Sequence, residues 1–231
     1  MTIVCATLGF TPEKLLAAIR PAPNVEKVML FTAYSPEGKE KAERAEKEVR
    51  VVLRQLGIEC QSIVLKSPWD FLEIFESMLK SLADLASHNL VFNLTGGPKS
   101  MTVAATMASV LLGIPLLYFP EENERVKQEA IHLPVLKLAY SSFLTESQRR
   151  VLREIQRRGG TAKGADVYAA LRIRPATLDY HFKKLKKLGV IDVKPMEQDR
   201  RHRVVTITDA GRLLLMAEKY SPLGNGDTEG P

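Results

Sequence analysis

Leu90-Val-Phe-Asn-Leu-Thr-Gly-Gly-Pro-Lys-Ser-Met101 runs from an apolar stretch through a turn into a helix, and this junction decides the fold of residues 1–140. Leu90–Leu94 reads as a short buried strand, and Lys99–Leu112 as a helix that is apolar on nearly every side. The same alternation extends in both directions. Upstream, Trp69–Leu85 carries Phe71, Ile74, Phe75, Met78, Leu79 and Leu82 at helical spacing, and Cys60–Leu65 is a strand behind Gly57. Glu37–Leu56 is a long charged helix, Lys27–Thr32 an apolar strand, Pro12–Arg20 helical, and Thr2–Thr7 the first strand. Downstream, Pro115–Phe119 is a further strand. Ala130–Leu133 and Val135–Leu138 are expected as a closing hairpin or edge strands around Pro134. Strands alternating with helices imply right-handed crossovers and a parallel sheet. The uninterrupted apolar strands fit a sheet covered on both faces. The fold class is therefore α/β, a Rossmann-like parallel-sheet domain.

Such sheets bind ligands beyond the carboxyl ends of their strands. Gly96 and Gly97 lie there, where backbone can approach a ligand closely. The helix that follows presents free N–H groups and partial positive charge. Lys99 adds a full charge, and Thr95 and Ser100 add hydroxyls. Pro98 stands where a Walker A loop needs the Gly before its Lys, so that motif is excluded. The first strand ends in Thr7-Leu8-Gly9-Phe10-Thr11-Pro12 and the second in Thr32-Ala33-Tyr34-Ser35, placing small polar residues along the same edge. Two readings stand at this point: a phosphate-binding loop, or a turn whose glycines serve only packing. Thr7 is equally a pocket residue or a core residue.

A second pattern starts at Thr145-Glu-Ser-Gln148, a capping box that opens a new helix. That helix spans Thr145–Arg158, with Val151, Leu152 and Ile155 on one face, and stops at Gly159-Gly160. A second helix, Ala165–Leu171, packs through Val167 and Leu171. The third, Ala176–Leu188, follows the turn Ile173-Arg174-Pro175 and buries Leu178, Phe182, Leu185 and Leu188. Val190–Val193 and Val204–Ile207 are the strands of a wing with Asp199-Arg-Arg-His-Arg203 at its tip, and Thr208-Asp-Ala-Gly211 starts a last helix, Arg212–Lys219. This is a winged helix-turn-helix. The exposed face of the third helix is expected to carry Thr177, Tyr180, His181, Lys183, Lys184 and Lys187. A helix of this kind enters the major groove of double-stranded DNA, with its first residues near base edges and its lysines on phosphates. The DNA-contacting set is Arg174, Ala176, Thr177, Tyr180, Lys183, Lys184 and Lys187, with Arg200, Arg201 and Arg203 of the wing. A solvated face that binds protein instead is the alternative.

The charge distribution separates the two parts. Residues 145–220 hold 18 Lys/Arg against 9 Asp/Glu, whereas residues 1–144 hold 15 against 16. A basic block beside a nearly neutral one is the footprint of a DNA-binding module. The domain limits are 1–140 and 145–220, with a linker near Tyr140–Phe143 and a disordered tail over 221–231, where Pro, Gly, Asn and Asp dominate. No apolar run is long enough to span a membrane, and the start lacks a signal-peptide pattern, so a cytoplasmic protein is expected. Cys5 and Cys60 are expected as free thiols, with a disulfide the alternative. The histidines at 88, 132, 181 and 202 show no metal-ligand spacing, and no metal or cofactor is expected.

The third-helix pattern Leu178…Phe182…Leu185…Leu188-Gly189-Val190-Ile191 resembles that of winged-helix repressors of bacteria and archaea. Together with Thr7-Leu-Gly-Phe10 and Asn93-Leu-Thr-Gly-Gly-Pro-Lys-Ser100, the whole chain apart from the tail resembles the CRISPR-associated transcriptional regulators with an N-terminal CARF domain. The resemblance implies a homodimer that holds a cyclic oligoadenylate, usually cyclic tetraadenylate, between two CARF domains and binds CRISPR promoters or leaders. It implies that Thr95, Gly96, Gly97, Lys99 and Ser100 face ligand phosphates and ribose while Leu8, Gly9 and Phe10 line the pocket. Thr7, Asn93 and Pro98 complete the ligand set. Two further functions compete: a ring nuclease that cleaves the cyclic ligand, and a metabolic repressor that senses another nucleotide. No His or acidic residue beside the loop offers a clear general base, which favours a sensor over a nuclease.

Overall fold

The computed structural model describes residues 2–19, 24–119, 130–133, 135, 143–195 and 203–220. The chain divides into two compact units, Met1–Leu138 and Ala139–Pro231. The polar turn at Glu121–Arg125, the wing-tip residues Arg200 and Arg201, and the tail from Ser221 lie outside the described residues, as does most of the linker.

In the first unit, β1 (Thr2–Leu8), α1 (Glu13–Ile19), β2 (Val25–Thr32), α2 (Lys39–Gln55), β3 (Glu59–Val64), α3 (Phe71–Ala83), β4 (Asn89–Asn93), α4 (Lys99–Leu112), β5 (Leu116–Tyr118) and β6 (Ile131–Leu133) follow in order. The sheet order is β3-β2-β1-β4-β5-β6. The first five strands are parallel, and β6 closes the edge antiparallel to β5, pairing Tyr118 with Ile131. The long charged helix begins later than its charge pattern suggests, because Pro36–Gly38 forms a 3-10 turn first.

Side chains alternate across a strand, so the even-numbered residues of β1 and β2 share one face. Val4, Ala6, Leu8, Val28 and Leu30 pack there against Leu15 and Ile19 of α1 and Val49 and Leu53 of α2. Right-handed crossovers put α3 and α4 on the other face. There α3 packs on α4 and α4 on β1, while Phe31 stacks on Phe92 with ring centroids 5.8 Å apart. Asp70 caps α3 by accepting from the Glu73 N–H. Gly113, at φ 71°, ends α4 in the left-handed conformation that glycine adopts without a Cβ clash. Burial pushes the Cys5 thiol up to about 12, and both cysteines are free.

The second unit holds α5 (Glu146–Arg157), β7 (Thr161–Lys163), α6 (Gly164–Leu171), α7 (Pro175–Lys187), β8 (Ile191–Pro195), β9 (Arg203–Ile207) and α8 (Asp209–Tyr220). It is a winged helix. The capping box is formed in full: Thr145 Oγ1 accepts from the Gln148 N–H at 3.3 Å, and Gln148 Oε1 accepts from the Thr145 N–H at 2.9 Å. The core joins Val151, Leu152 and Ile155 of α5 to Val167, Leu178, Phe182, Leu185, Val205 and Ile207. β7, which local sequence does not signal, pairs with β9 and completes a three-stranded sheet in the order β7-β9-β8. The last helix starts at Asp209, within the expected Thr208–Gly211 start, where Thr208 Oγ1 accepts from the Gly211 N–H.

Candidate functional site

The sheet order reverses between β1 and β4, the point at which an open α/β sheet leaves a crevice at its carboxyl edge. The loops after these two strands meet there backbone to backbone. A Cβ on Gly9 would stand 2.8 Å from the Gly97 nitrogen, and one on Gly96 would stand 2.6 Å from the Thr7 carbonyl oxygen. Gly97 has φ 85°, so glycine is required at 97 for its conformation and at 9 and 96 for contact. The packing reading of these glycines therefore holds, and it does not compete with the ligand reading, because the interlocked loops are what shape a cleft.

Four polar residues brace that junction. Thr7 is buried and its Oγ1 donates to the Gly96 carbonyl at 2.5 Å. Asn93, also buried, accepts through Oδ1 from the Thr95 N–H at 3.0 Å and from Thr95 Oγ1 at 2.6 Å. Thr95 Oγ1 in turn accepts from the Phe119 N–H at 2.9 Å, which ties the loop to the end of β5. Ser100 Oγ donates to the Pro68 carbonyl at 2.5 Å and fastens the start of α4 to the β3–α3 loop.

The cleft above has a volume of about 350 Å³. Leu8, Gly9, Phe10, Thr95, Gly96, Gly97 and Pro98 line it, joined by Thr11, Ala33 and Ala42. Of the residues expected at the ligand, Thr7, Asn93, Lys99 and Ser100 do not line it: the first two sit beneath, and Ser100 is spent on Pro68. Lys99 is exposed on the first turn of α4, directly after the lining residue Pro98, and makes no ion pair with the described residues. Ala42 carries no local signal of a site, because it is one small residue in the first turn of a long charged helix. Ala33 and Thr11 follow strand ends and join the lining without a chemical signature of their own.

The winged-helix unit carries the second surface. Arg174, Ala176, Thr177, Tyr180, Lys183, Lys184 and Lys187 are all exposed along α7 and its N-cap. Lys184 Nζ stands 5.6 Å from the Tyr180 ring centroid, a cation–π approach that pre-orders both side chains. His181 corrects the sequence reading: it is buried, not on the polar face, and its Nδ1 has no partner among the described residues. Burial lowers its pKa below the ordinary imidazole value. Its Cα lies at the edge of the buried arc of α7, next to Leu185, which faces the core. Leu188 is the opposite correction. As the C-cap of α7 it is half exposed, not part of the buried stripe.

Arg203, expected on phosphate, is engaged within the protein. Its Nη1 donates to Asp179 Oδ1 at 2.8 Å. Lys186 leans the same way, donating to the Val193 carbonyl at 3.4 Å. These contacts hold α7 against the wing around a small groove of about 210 Å³ that Lys183 also borders.

Comparison with known proteins places these features. The model for the Csa3 CRISPR-associated Rossmann-like domain matches residues 2–133, and the one for a winged helix DNA-binding domain matches residues 144–211. No curated protein matches the chain. Among solved structures, Can2 from Sulfobacillus thermosulfidooxidans in complex with cyclic tetra-adenylate is similar at 16% identity and a TM-score of 0.45, over 95% of this chain and 64% of that one. A type III CRISPR defence DNA nuclease activated by cyclic oligoadenylate is similar at 17% identity and a TM-score of 0.45, over 68% and 27%. A MarR mutant from E. coli complexed with operator DNA is similar at 20% identity and a TM-score of 0.32, over 36% of this chain; this chain spans 60% of MarR.

Proposed function

The chain belongs to the family of the Csa3 CRISPR-associated Rossmann-like domain, here followed by a winged helix DNA-binding domain, and on that premise we propose that it is a CRISPR-associated transcriptional regulator whose cleft senses cyclic tetraadenylate. The observation that carries the reading is the interlock of Gly9 with Gly97 and of Gly96 with Thr7 at the switch point of the sheet. It builds a cleft lined on one side by loop backbone up to Pro98, with the exposed Lys99 at the start of α4 directly after it. That combination suits a phosphodiester: fixed N–H groups at a helix start and one mobile cation. A cyclic ligand with two-fold symmetry and a palindromic operator both call for two copies of the protein, so the acting species is a homodimer.

The ligand is sensed, not cleaved, in this reading. Cleavage through a ribose 2′-hydroxyl gains from a positioned general base. The described lining of the cleft consists of Leu, Gly, Phe, Thr, Ala and Pro and offers none. The winged helix supplies the output, with Tyr180 and Lys183 toward base edges and Lys184 and Lys187 on phosphates of promoter or leader DNA.

Calorimetric titration with cyclic di-, tri-, tetra- and hexaadenylate tests the first half, and fluorescence anisotropy on leader DNA with and without the bound ring tests the second. Binding of cyclic tetraadenylate that changes DNA affinity is the expected result. Affinity for none of the rings would remove the sensor reading, and linear products after incubation would make the protein a ring nuclease.

A further inference from the structure

The exposed side of α7 is basic except at one place. It carries Lys183, Lys184, Lys186 and Lys187, and Asp179 is the single acidic residue of the helix. We propose that Asp179 reads a cytosine in the major groove, accepting a hydrogen bond from the N4 amine of the base, with Arg203 holding the carboxylate in place; the inference rests on the reading that α7 enters DNA.

Asp179 lies in the N-terminal half of α7, the half that approaches base edges in a helix of this kind. Residues three and four apart are neighbours on a helix surface. Asp179 therefore shares a stripe with Ala176 and Lys183, both exposed and both in the DNA-contacting set. Its own side chain is 48% exposed and stands outside the buried stripe of Leu178, Phe182 and Leu185.

A carboxylate brought up to phosphates is repelled unless its charge is matched and a donor faces it. Arg203, the first residue of β9, supplies the match: its Nη1 donates to Asp179 Oδ1 at 2.8 Å. Among the described residues Asp179 pairs with this arginine and not with Lys183 one turn on. The carboxylate is thus fixed from outside its own helix. An ionised carboxylate accepts at both oxygens. Oδ1 is taken by Arg203, and Oδ2 has no hydrogen-bond partner among the described residues.

A group that only accepts selects among bases. In the major groove cytosine presents its N4 amine, a donor with no acceptor beside it on the same base. Adenine sets its N7 acceptor next to the N6 amine, and guanine and thymine present acceptors. Cytosine is therefore the base that a held carboxylate meets without facing a lone pair of the same ring.

The test selects duplexes from a randomised library with the full chain, with and without cyclic tetraadenylate, and sequences what is retained. The parent enriches cytosine at one fixed position of each half-site. Asp179→Ala loses that preference and keeps the others. Asp179→Asn moves it to adenine, whose N6 and N7 suit a side-chain amide. Arg203→Ala blurs the same position. N4-methylcytosine placed there keeps its pairing but covers the amine; it weakens the parent about 5-fold or more and Asp179→Ala not at all. Identical preferences in the parent and both Asp179 variants, or equal losses from N4-methylcytosine in the parent and Asp179→Ala, overturn the base contact and leave the regulator. A position that stays sharp in Arg203→Ala overturns the holding role of Arg203. DNA retained by the parent with no enriched sequence, or no DNA retained, sinks the base contact and the regulator together.

Discussion

Arg203 Nη1 donates to Asp179 Oδ1 at 2.8 Å and so ties the first residue of β9 to the middle of α7. Both side chains are nearly half exposed, so the pair contributes little to stability, about 0.2–1 kcal/mol. Its effect is electrostatic: it neutralises a cation beside the face of α7 proposed to meet DNA.

Asp179→Asn is therefore expected to strengthen binding to random DNA, because it removes a negative charge near the phosphates and releases Arg203. The salt slope of binding rises by about 1 as one more counterion is displaced. Anisotropy titrations over a salt series measure this. An unchanged slope would mean that Arg203 stays clear of phosphate.

Tyr180 is 55% exposed, so Tyr180→Ala leaves the fold intact by circular dichroism. It narrows the gap between operator and random DNA by about 1–3 kcal/mol if a base contact is lost. Lys187→Ala instead weakens both equally. Equal loss for both DNAs in Tyr180→Ala would move base reading elsewhere on α7. Arg201→Ala, beyond the described residues, is expected to act like Lys187→Ala.

Lys99 carries no packing, so Lys99→Ala keeps the melting temperature and weakens cyclic tetraadenylate. A lost charge-assisted contact is worth about 1.5–3 kcal/mol per protomer. Calorimetry that finds wild-type affinity would take Lys99 out of the site.

Gly96→Ala places a methyl 2.6 Å from the Thr7 carbonyl oxygen, which is backbone and cannot yield cheaply. A loss of about 1–3 kcal/mol is expected, read as a lower urea midpoint. Stability equal to the parent would show that the two loops separate more freely than their contact implies.

Acid sensitivity has a specific source in the winged helix. The guanidinium of Arg157, with that of Arg158 behind it, holds the Glu154 carboxyl at about 2 instead of 4.5, against the opposing effect of burial. A lowered carboxyl pKa contributes stability that is fully present above about 4.5 and is lost as pH falls from there through about 2. Glu154→Gln should flatten the urea midpoint of this unit across that window. Parallel curves for parent and variant would assign the acid response to other carboxylates.

Local sequence determined the elements because their signals are local. Lys99–Leu112 is read residue for residue, since Pro98 starts the helix and Gly113 ends it. The Thr145–Gln148 box marks the start of α5 for the same reason: its two hydrogen bonds lie within one turn. The stripe Leu178, Phe182, Leu185 fixes which face of α7 is buried, but not how far that face extends. Tertiary packing drew His181 into it and left Leu188 outside. The site divides along the same line. Gly9, Phe10 and the Thr95–Pro98 loop were legible as strand-end residues. Only the folded chain decided that Thr7 and Asn93 brace the cleft from beneath, that Ser100 serves Pro68, that Ala42 of α2 joins the lining, and that Arg203 answers to Asp179. Each of these pairings joins residues from separate elements or settles which side of a loop a side chain takes. Periodicity fixes only the face a residue takes within its own element; the partner is fixed by which strands and helices the fold sets side by side.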